Sequence, residues 1–204
     1  MKHLNEFIIE KLKINKDIEL YSCQPKTKTD LIRILKERLK EDKNADLNDI
    51  DVSLIEDFSE IFITLHPENI DISEWNVSNA TNMSQMFFGC RKFNCDLSKW
   101  DVSKCQKMLG MFHGCYEFKS DLSKWDVSSC EDMYGMLCDC MNFNSDLSKW
   151  DVSKVEDMYE MFRGCLKFNC DLSNWNVSKV KDMNLMLRNC KSLKNIPSWY
   201  KGTV

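Results

Sequence analysis

Residues 146–170 read DLSKWDVSKVEDMYEMFRGCLKFNC, and close variants of this string recur in steps of 25 without a gap from Asp46 to Asn195. Trp75, Trp100, Trp125, Trp150 and Trp175 mark the beat. A fixed period of roughly 20–50 residues belongs to units that cannot bury an apolar face alone and must stack on their neighbours. The period divides the chain into three parts: residues 1–45, six units over 46–195, and a closing segment, 196–204.

Within the unit 96–120 the apolar positions are Leu97, Trp100, Val102, Cys105, Met108, Met111, Phe112, Cys115 and Phe118. The first three read L-x-x-W-x-V, the spacing of the strand segment in a leucine-rich repeat, with Trp in the second slot. A short parallel strand near Trp100–Val102 is therefore expected to pair with its equivalents. Cys105, Met108, Met111, Phe112 and Cys115 then follow a helical stripe. Ser103/Gln106, Ser53/Glu56, Ser128/Glu131 and Ser153/Glu156 have capping-box spacing. Gly89, Gly114, Asp139, Gly164 and Asn189 suit the left-handed residue that closes a helix. The expected fold is α/β, a leucine-rich-repeat-like solenoid with one short parallel strand and one helix per 25-residue rung. The Trp column is expected in its core.

Residues 1–45 lie outside the repeat and are expected to form a small α/β cap over the first rung, which would otherwise expose its core. Leu4, Phe7, Ile8 and Leu12 share one helical face. Ile18–Ser22 alternates like a strand, and a second helix over about 30–42, capped by Thr27 or Thr29, would bury Leu31, Ile32, Leu35 and Leu39. At the other end, Pro197, Trp199 and Tyr200 break the period, and the tail is expected to cover the last rung.

Hydrophobic content of 43% and charged content of 29% are those of a folded soluble chain. The net charge of −4 and only five arginines give no reason to expect nucleic acid or an anionic membrane as partner. No apolar run approaches the ~20 residues of a membrane span, and the N-terminus lacks the apolar core of a secretory leader. The expected location is cytoplasmic. Eleven cysteines are an odd number, and they follow the repeat: Cys90, Cys115, Cys140, Cys165 and Cys190 form one column, Cys105 and Cys130 a second, Cys95 and Cys170 a third. Small apolar thiols in a reduced core account for them.

Taken together, the motif D-[LI]-S-x-W-[DN]-V-S-x-[VCA]-x-x-M-x-x-M-[FL]-x-x-C resembles the 25-residue variant of the BspA-like leucine-rich repeat family, over Asp46 to Asn195. The resemblance implies an α/β solenoid used for protein binding or adhesion, often on bacterial surfaces. A surface adhesin exported by a route not visible in the sequence is therefore the second functional reading.

Little in the sequence points to chemistry. His3, His66 and His113 do not recur in register. A nucleophilic Cys needs a base and an electropositive setting, and His113 and Cys115 would point apart on a helix. Zinc knuckles would need paired Cys spacings, whereas Cys138, the outlier of its column, reads as a surface thiol on a helix. The Asp columns read as turn residues that accept backbone N–H bonds. No catalytic residue, cofactor or metal ligand is expected.

Recognition of a protein partner is left to the positions between the core columns. On the strand side these are Glu74, Asn76, Lys99, Asp101, Lys124, Asp126, Lys149, Asp151, Asn174 and Asn176; on the helix side they are Tyr134, Tyr159 and Arg163. Tyr and Arg are typical of interface hot spots. The expected function is a non-catalytic protein-recognition module in the cytosol, bacterial or phage-encoded, with an effector that binds a host protein as one case.

Overall fold

The computed structural model describes residues 21–204. One helix, α1, spans Lys28–Glu41. Thr27 is its N-cap, accepting the Asp30 N–H on its hydroxyl at 3.1 Å, and the Asp42 N–H closes the other end on the Arg38 carbonyl at 3.1 Å. Leu31, Leu35 and Leu39 fall on one face and are buried in the same core as the repeat units. Arg38 holds the Asp49 carboxylate through two bonds of 2.8 and 3.0 Å, and Lys28 meets Asp57 at 3.1 Å. The second N-terminal helix thus forms where its apolar spacing placed it, with Thr27 rather than Thr29 as cap. The helix expected around Leu4–Leu12 lies outside the described residues, as does most of the strand expected over 18–22. Ser22 and Cys23 pair with the chain at Asp49–Asp51 through a single parallel bridge, Cys23 to Ile50.

Beyond α1 the structure overturns the expected α/β leucine-rich-repeat-like solenoid. Among the described residues α1 is the only helix, and the only β pairing is a set of isolated parallel bridges; there is no sheet. The bridges between repeat units lie on a different part of the unit from the one expected. Asp57, Asn82, Lys107, Asp132, Asp157 and Asp182 are linked in sequence, 25 residues apart, whereas nothing pairs at Trp100–Val102. Each unit is instead a chain of tight turns, and the units are stapled together at intervals.

The stripe Cys105–Cys115 is buried as expected but is not a helix. Helical N–H groups would bond four residues back; here alternate N–H groups leave the unit altogether. Met83, Gln85, Phe87 and Gly89 donate to the carbonyls of Lys107, Leu109, Met111 and His113 at 2.7–2.9 Å. The intervening Met86, Phe88 and Cys90 donate three residues back, to Met83, Gln85 and Phe87. Consecutive three-residue turns deliver apolar side chains to one side at i, i+3 and i+6, close to a helix's own spacing. What excludes the helix is a left-handed residue in the middle of every stripe: Glu60, Gln85, Gly110, Gly135, Glu160 and Leu185 all have φ between 53° and 59°. Gly89, Gly114, Asp139, Gly164 and Asn189 are also left-handed, as their identities suggested, but no helix precedes them. Nor are the serines helix caps: Ser103, Ser128 and Ser153 donate their N–H groups to Asp101, Asp126 and Asp151 at 3.0 Å in two-residue Asx turns.

Both halves of the unit use one device to lock onto the unit before. The Leu97 carbonyl accepts the Trp100 N–H of its own turn at 3.1 Å and the Trp125 indole N–H, 28 residues on, at 2.9 Å. The Phe112 carbonyl accepts the Cys115 N–H at 2.9 Å and the Cys140 thiol at 3.0 Å. A carbonyl has two lone pairs, and each of these uses both. The pattern repeats down the Trp column from Trp75 to Trp175 and down the Cys column from Cys115 to Cys190. The apolar residues of both columns are therefore also fixed in direction. Phenylalanines fill the space between them, with ring centroids 4.0 Å apart for Phe87 and Phe93 and 4.1 Å for Phe112 and Phe118.

The tail extends this scheme. Pro197 and Tyr200 take the Leu and Trp slots, the Tyr200 N–H bonding the Pro197 carbonyl at 3.0 Å, while the Trp199 indole reaches the Leu172 carbonyl at 3.2 Å.

Candidate functional site

Two surfaces carry the residues singled out from the sequence. The first is the Asx-turn surface. Lys99, Lys124 and Lys149 stand one above the other and are exposed, with Glu74 at one end of the row and Asn174 at the other. Glu74 meets Lys99 at 2.6 Å. Asp101, Asp126 and Asp151, with Asn76 and Asn176 beyond them, are exposed too, but each has one side-chain oxygen committed to the N–H two residues on. The Ser103 hydroxyl and N–H hold the Asp101 carboxyl below the usual carboxylate range, and Ser153 does the same for Asp151. Carboxylates so occupied are turn residues first, which is the role the sequence assigned to the Asp columns.

A parallel device runs beside it. Ser120 and Ser145 accept the Leu97 and Leu122 N–H groups at 2.8 and 2.9 Å and donate to Asp96 and Asp121. Cys95 and Cys170 do the same with sulfur, which explains the third cysteine column.

The second surface lies outside the stripe of tight turns, where the repeat departs from itself. Tyr134 and Tyr159, one unit apart, stack at 5.1 Å between centroids with planes 15° apart. Asp132 and Asp157 accept their N–H groups at 3.0 and 2.8 Å, so the Tyr backbones are pinned by Asx turns. Tyr134 is 38% exposed. Arg163 is half-buried close by, 3.5 Å from Glu160 and 3.8 Å from the Cys138 sulfur.

Cys138 itself corrects the sequence reading: it is buried rather than a surface thiol, and no helix carries it. His113 from the unit before, Cys138 and Asp139 bring one nitrogen, one sulfur and one carboxylate oxygen within 4.8 Å of one another. The Phe88 ring stacks on His113 at 4.7 Å. Burial lowers the His113 pKa and pushes the Cys138 thiol up to about 12. The sequence hid this group because ligand motifs are read along the chain, while His113 and Cys138 are 25 residues apart and meet only through stacking. The available signal was the broken column, Cys138 among Phe88, His113, Arg163 and Arg188.

The other thiols of the repeat units are buried, and Cys23 is partly so. Cys115, Cys140 and Cys165 are fully enclosed and burial raises their pKa far above the ordinary thiol value; Cys105 is pushed to about 11. A groove of about 470 Å³ lies against His66, Pro67, Glu68, Phe88, Arg91 and Lys92. Among the described residues no helix is long and apolar enough to cross a membrane.

A chain of stapled turn units with two patterned outer surfaces defines a repeat protein whose surface side chains recur at a fixed interval. The chain belongs to the family described as Mycoplasma protein of unknown function, DUF285, whose model matches residues 29–138 and 115–204. No curated protein and no solved structure matches it.

Proposed function

We propose that the chain is a non-catalytic protein-recognition module of a reducing, cytosolic compartment, and that it reads its partner with the ridge formed by Tyr134, Tyr159 and Arg163. The observation that carries this reading is the stacked tyrosine pair, held at a fixed spacing by Asx turns and turned partly to solvent. Large rigid aromatics beside an arginine bind at low entropic cost, because few side-chain torsions remain to be frozen. The finer family resemblance, to BspA-like repeat proteins, supports binding over catalysis. The thiol chemistry agrees: a buried thiol with raised pKa is a poor nucleophile. A reducing compartment is supported by the Cys column, whose sulfurs serve as S–H donors to carbonyls, a role that a disulfide would end.

Affinity capture under reducing conditions, run in parallel with three baits, tests the reading. The wild-type chain is expected to retain a partner that a Tyr134→Ala/Tyr159→Ala variant loses and a Lys99→Glu/Lys124→Glu/Lys149→Glu variant keeps. Equal retention by the tyrosine variant would sink the ridge. Adhesion at a cell surface is the second reading, favoured by the BspA-like motif; protease shaving of intact cells that leaves the chain uncut excludes it.

A further inference from the structure

We propose that the His113 ring, the Cys138 sulfur and an Asp139 carboxylate oxygen form a three-ligand site for one zinc-class divalent cation, joining the third repeat unit (96–120) to the fourth (121–145).

The donor set is one imidazole, one thiolate and one carboxylate, which suits a borderline cation such as Zn²⁺ and not Mg²⁺ or Ca²⁺, whose preferred ligands are all oxygen. The three donor atoms lie within 4.8 Å of one another. Zinc bonds of ~2.0–2.3 Å place tetrahedral donors roughly 3.3–3.8 Å apart, so side-chain rotations of about an ångström close the site. Three protein ligands leave a fourth position for water or for a donor brought by another molecule.

Independent features of the backbone keep these atoms available. A Cβ on Gly164 would overlap the Asp139 carboxylate, and that position lacks one. Asp139 occupies a left-handed slot that Gly89, Gly114 and Gly164 fill in other units, so a carboxylate stands here where the repeat usually has no side chain. Phe88 fixes the plane of the His113 ring. Every Asx-turn carboxylate of the repeat is committed to a backbone N–H, but among the described residues neither the Asp139 carboxylate nor the His113 ring makes a hydrogen bond to protein. The Cys138 sulfur has one long contact, to Arg163 at 3.8 Å, and Arg163 is itself paired with Glu160.

Binding replaces the thiol proton: the S–H bond of Cys138 breaks, the S–metal bond forms, and one proton passes to solvent. Affinity therefore rises with pH. The net gain is one positive charge, which the Arg163 guanidinium opposes, so removing that guanidinium tightens binding.

The test uses the full chain, reduced and stripped with chelator, titrated with Zn²⁺ alone by calorimetry and with Co²⁺ by absorption. One metal per chain is expected, with a thiolate-to-cobalt charge-transfer band in the near ultraviolet and a thermal midpoint raised by Zn²⁺. His113→Ala, Cys138→Ser and Asp139→Asn should each weaken binding by at least the ~10–100-fold that loss of a residue supporting a ligand costs. Their metal-free circular dichroism should match the parent, which separates a lost ligand from a lost fold. Arg163→Ala should bind more tightly. Failure to bind one equivalent of Zn²⁺, or a cobalt band unchanged in Cys138→Ser, overturns the site. Neither result bears on the tyrosine ridge, whose test needs no metal.

Discussion

Trp125 combines two contributions that substitution can separate. Its ring is 3% exposed, and its indole N–H takes the second lone pair of the Leu97 carbonyl. Trp125→Ala removes both and should cost ~3–5 kcal/mol, the usual range for large-to-small core changes. Trp125→Phe keeps most of the apolar ring but loses the donor, adding about 1 kcal/mol for the bond to a smaller packing loss. Urea unfolding of the two variants measures the difference; a Phe variant as damaged as the Ala variant would mean that the indole N–H bond, and not the burial of the ring, carries the loss. The Asx turns give a second separation. Asp101 and Asp151 have depressed pKa values, so the stability they contribute is complete above the unfolded Asp value of about 3.9 and is lost as pH falls through the folded one. Asparagine at the same slot makes the same turn, as Asn76 and Asn176 do. An Asp101→Asn/Asp151→Asn variant should therefore match the parent at neutral pH and lose stability less steeply in acid, which urea midpoints taken between pH 7 and 3 will register.

At the scale of the element, the turn stripe explains what the sequence made legible and what it concealed. Cys105, Met108, Met111, Phe112 and Cys115 were correctly read as facing inward, because burial depends on spacing, and tight turns and helices share that spacing closely. The backbone was misread because spacing alone cannot tell which carbonyl an N–H will choose. Gly110 and Gly135 in mid-stripe were the local clue: glycine in a helix interior costs about 1 kcal/mol, and here it marks a left-handed residue. α1 was legible because nothing competes with its own i−4 bonds, and Thr27 stands at its start. Substituting the glycines tests the turn geometry. Gly135→Ala places a side chain where Glu160 and Gln85 already carry one at the same φ, so the loss should be about 1 kcal/mol. Gly164→Ala must also displace the Asp139 carboxylate and should lose more. A helical stripe would reverse the sign at Gly135, since alanine stabilises a helix interior relative to glycine, while Gly164 would still lose as the residue that closes the helix. Thermal melts of the pair therefore report on the turn geometry.

For the molecule as a whole, the arrangement of bonds sets where it opens. An inner unit is held on both sides: Gly110 and Phe112 donate to Tyr134 and Met136, while the carbonyls of Leu109 and Met111 accept from Gln85 and Phe87. The unit 171–195 has a full repeat unit on one side and only the short tail on the other, where the Trp199 indole meets the Leu172 carbonyl. Val177, Val180 and Met183 are partly buried where their equivalents Val102, Cys105 and Met108 are buried, and Met183, Leu185 and Asn189 make no backbone donation among the described residues. The Leu187 N–H alone is met, by the Tyr200 hydroxyl at 3.4 Å. Stability in stacked repeats is close to a sum of nearest-neighbour terms, so a unit with one full neighbour lacks much of its interface and opens without unfolding the rest. At the other end α1 supplies the missing neighbour through Leu31, Leu35 and Leu39. Hydrogen exchange should follow this asymmetry. Amides of Gly110, Phe112, Gly135 and Leu137 are expected to exchange only on global opening, whereas Met183, Leu185 and Asn189 exchange first and Leu187 lies between. Tyr200→Phe, which removes the acceptor for Leu187, should bring Leu187 to the rate of its neighbours and leave the inner amides unchanged. Uniform protection along all six units would instead mean that the stack opens as one block, with no role for the number of neighbours each unit has.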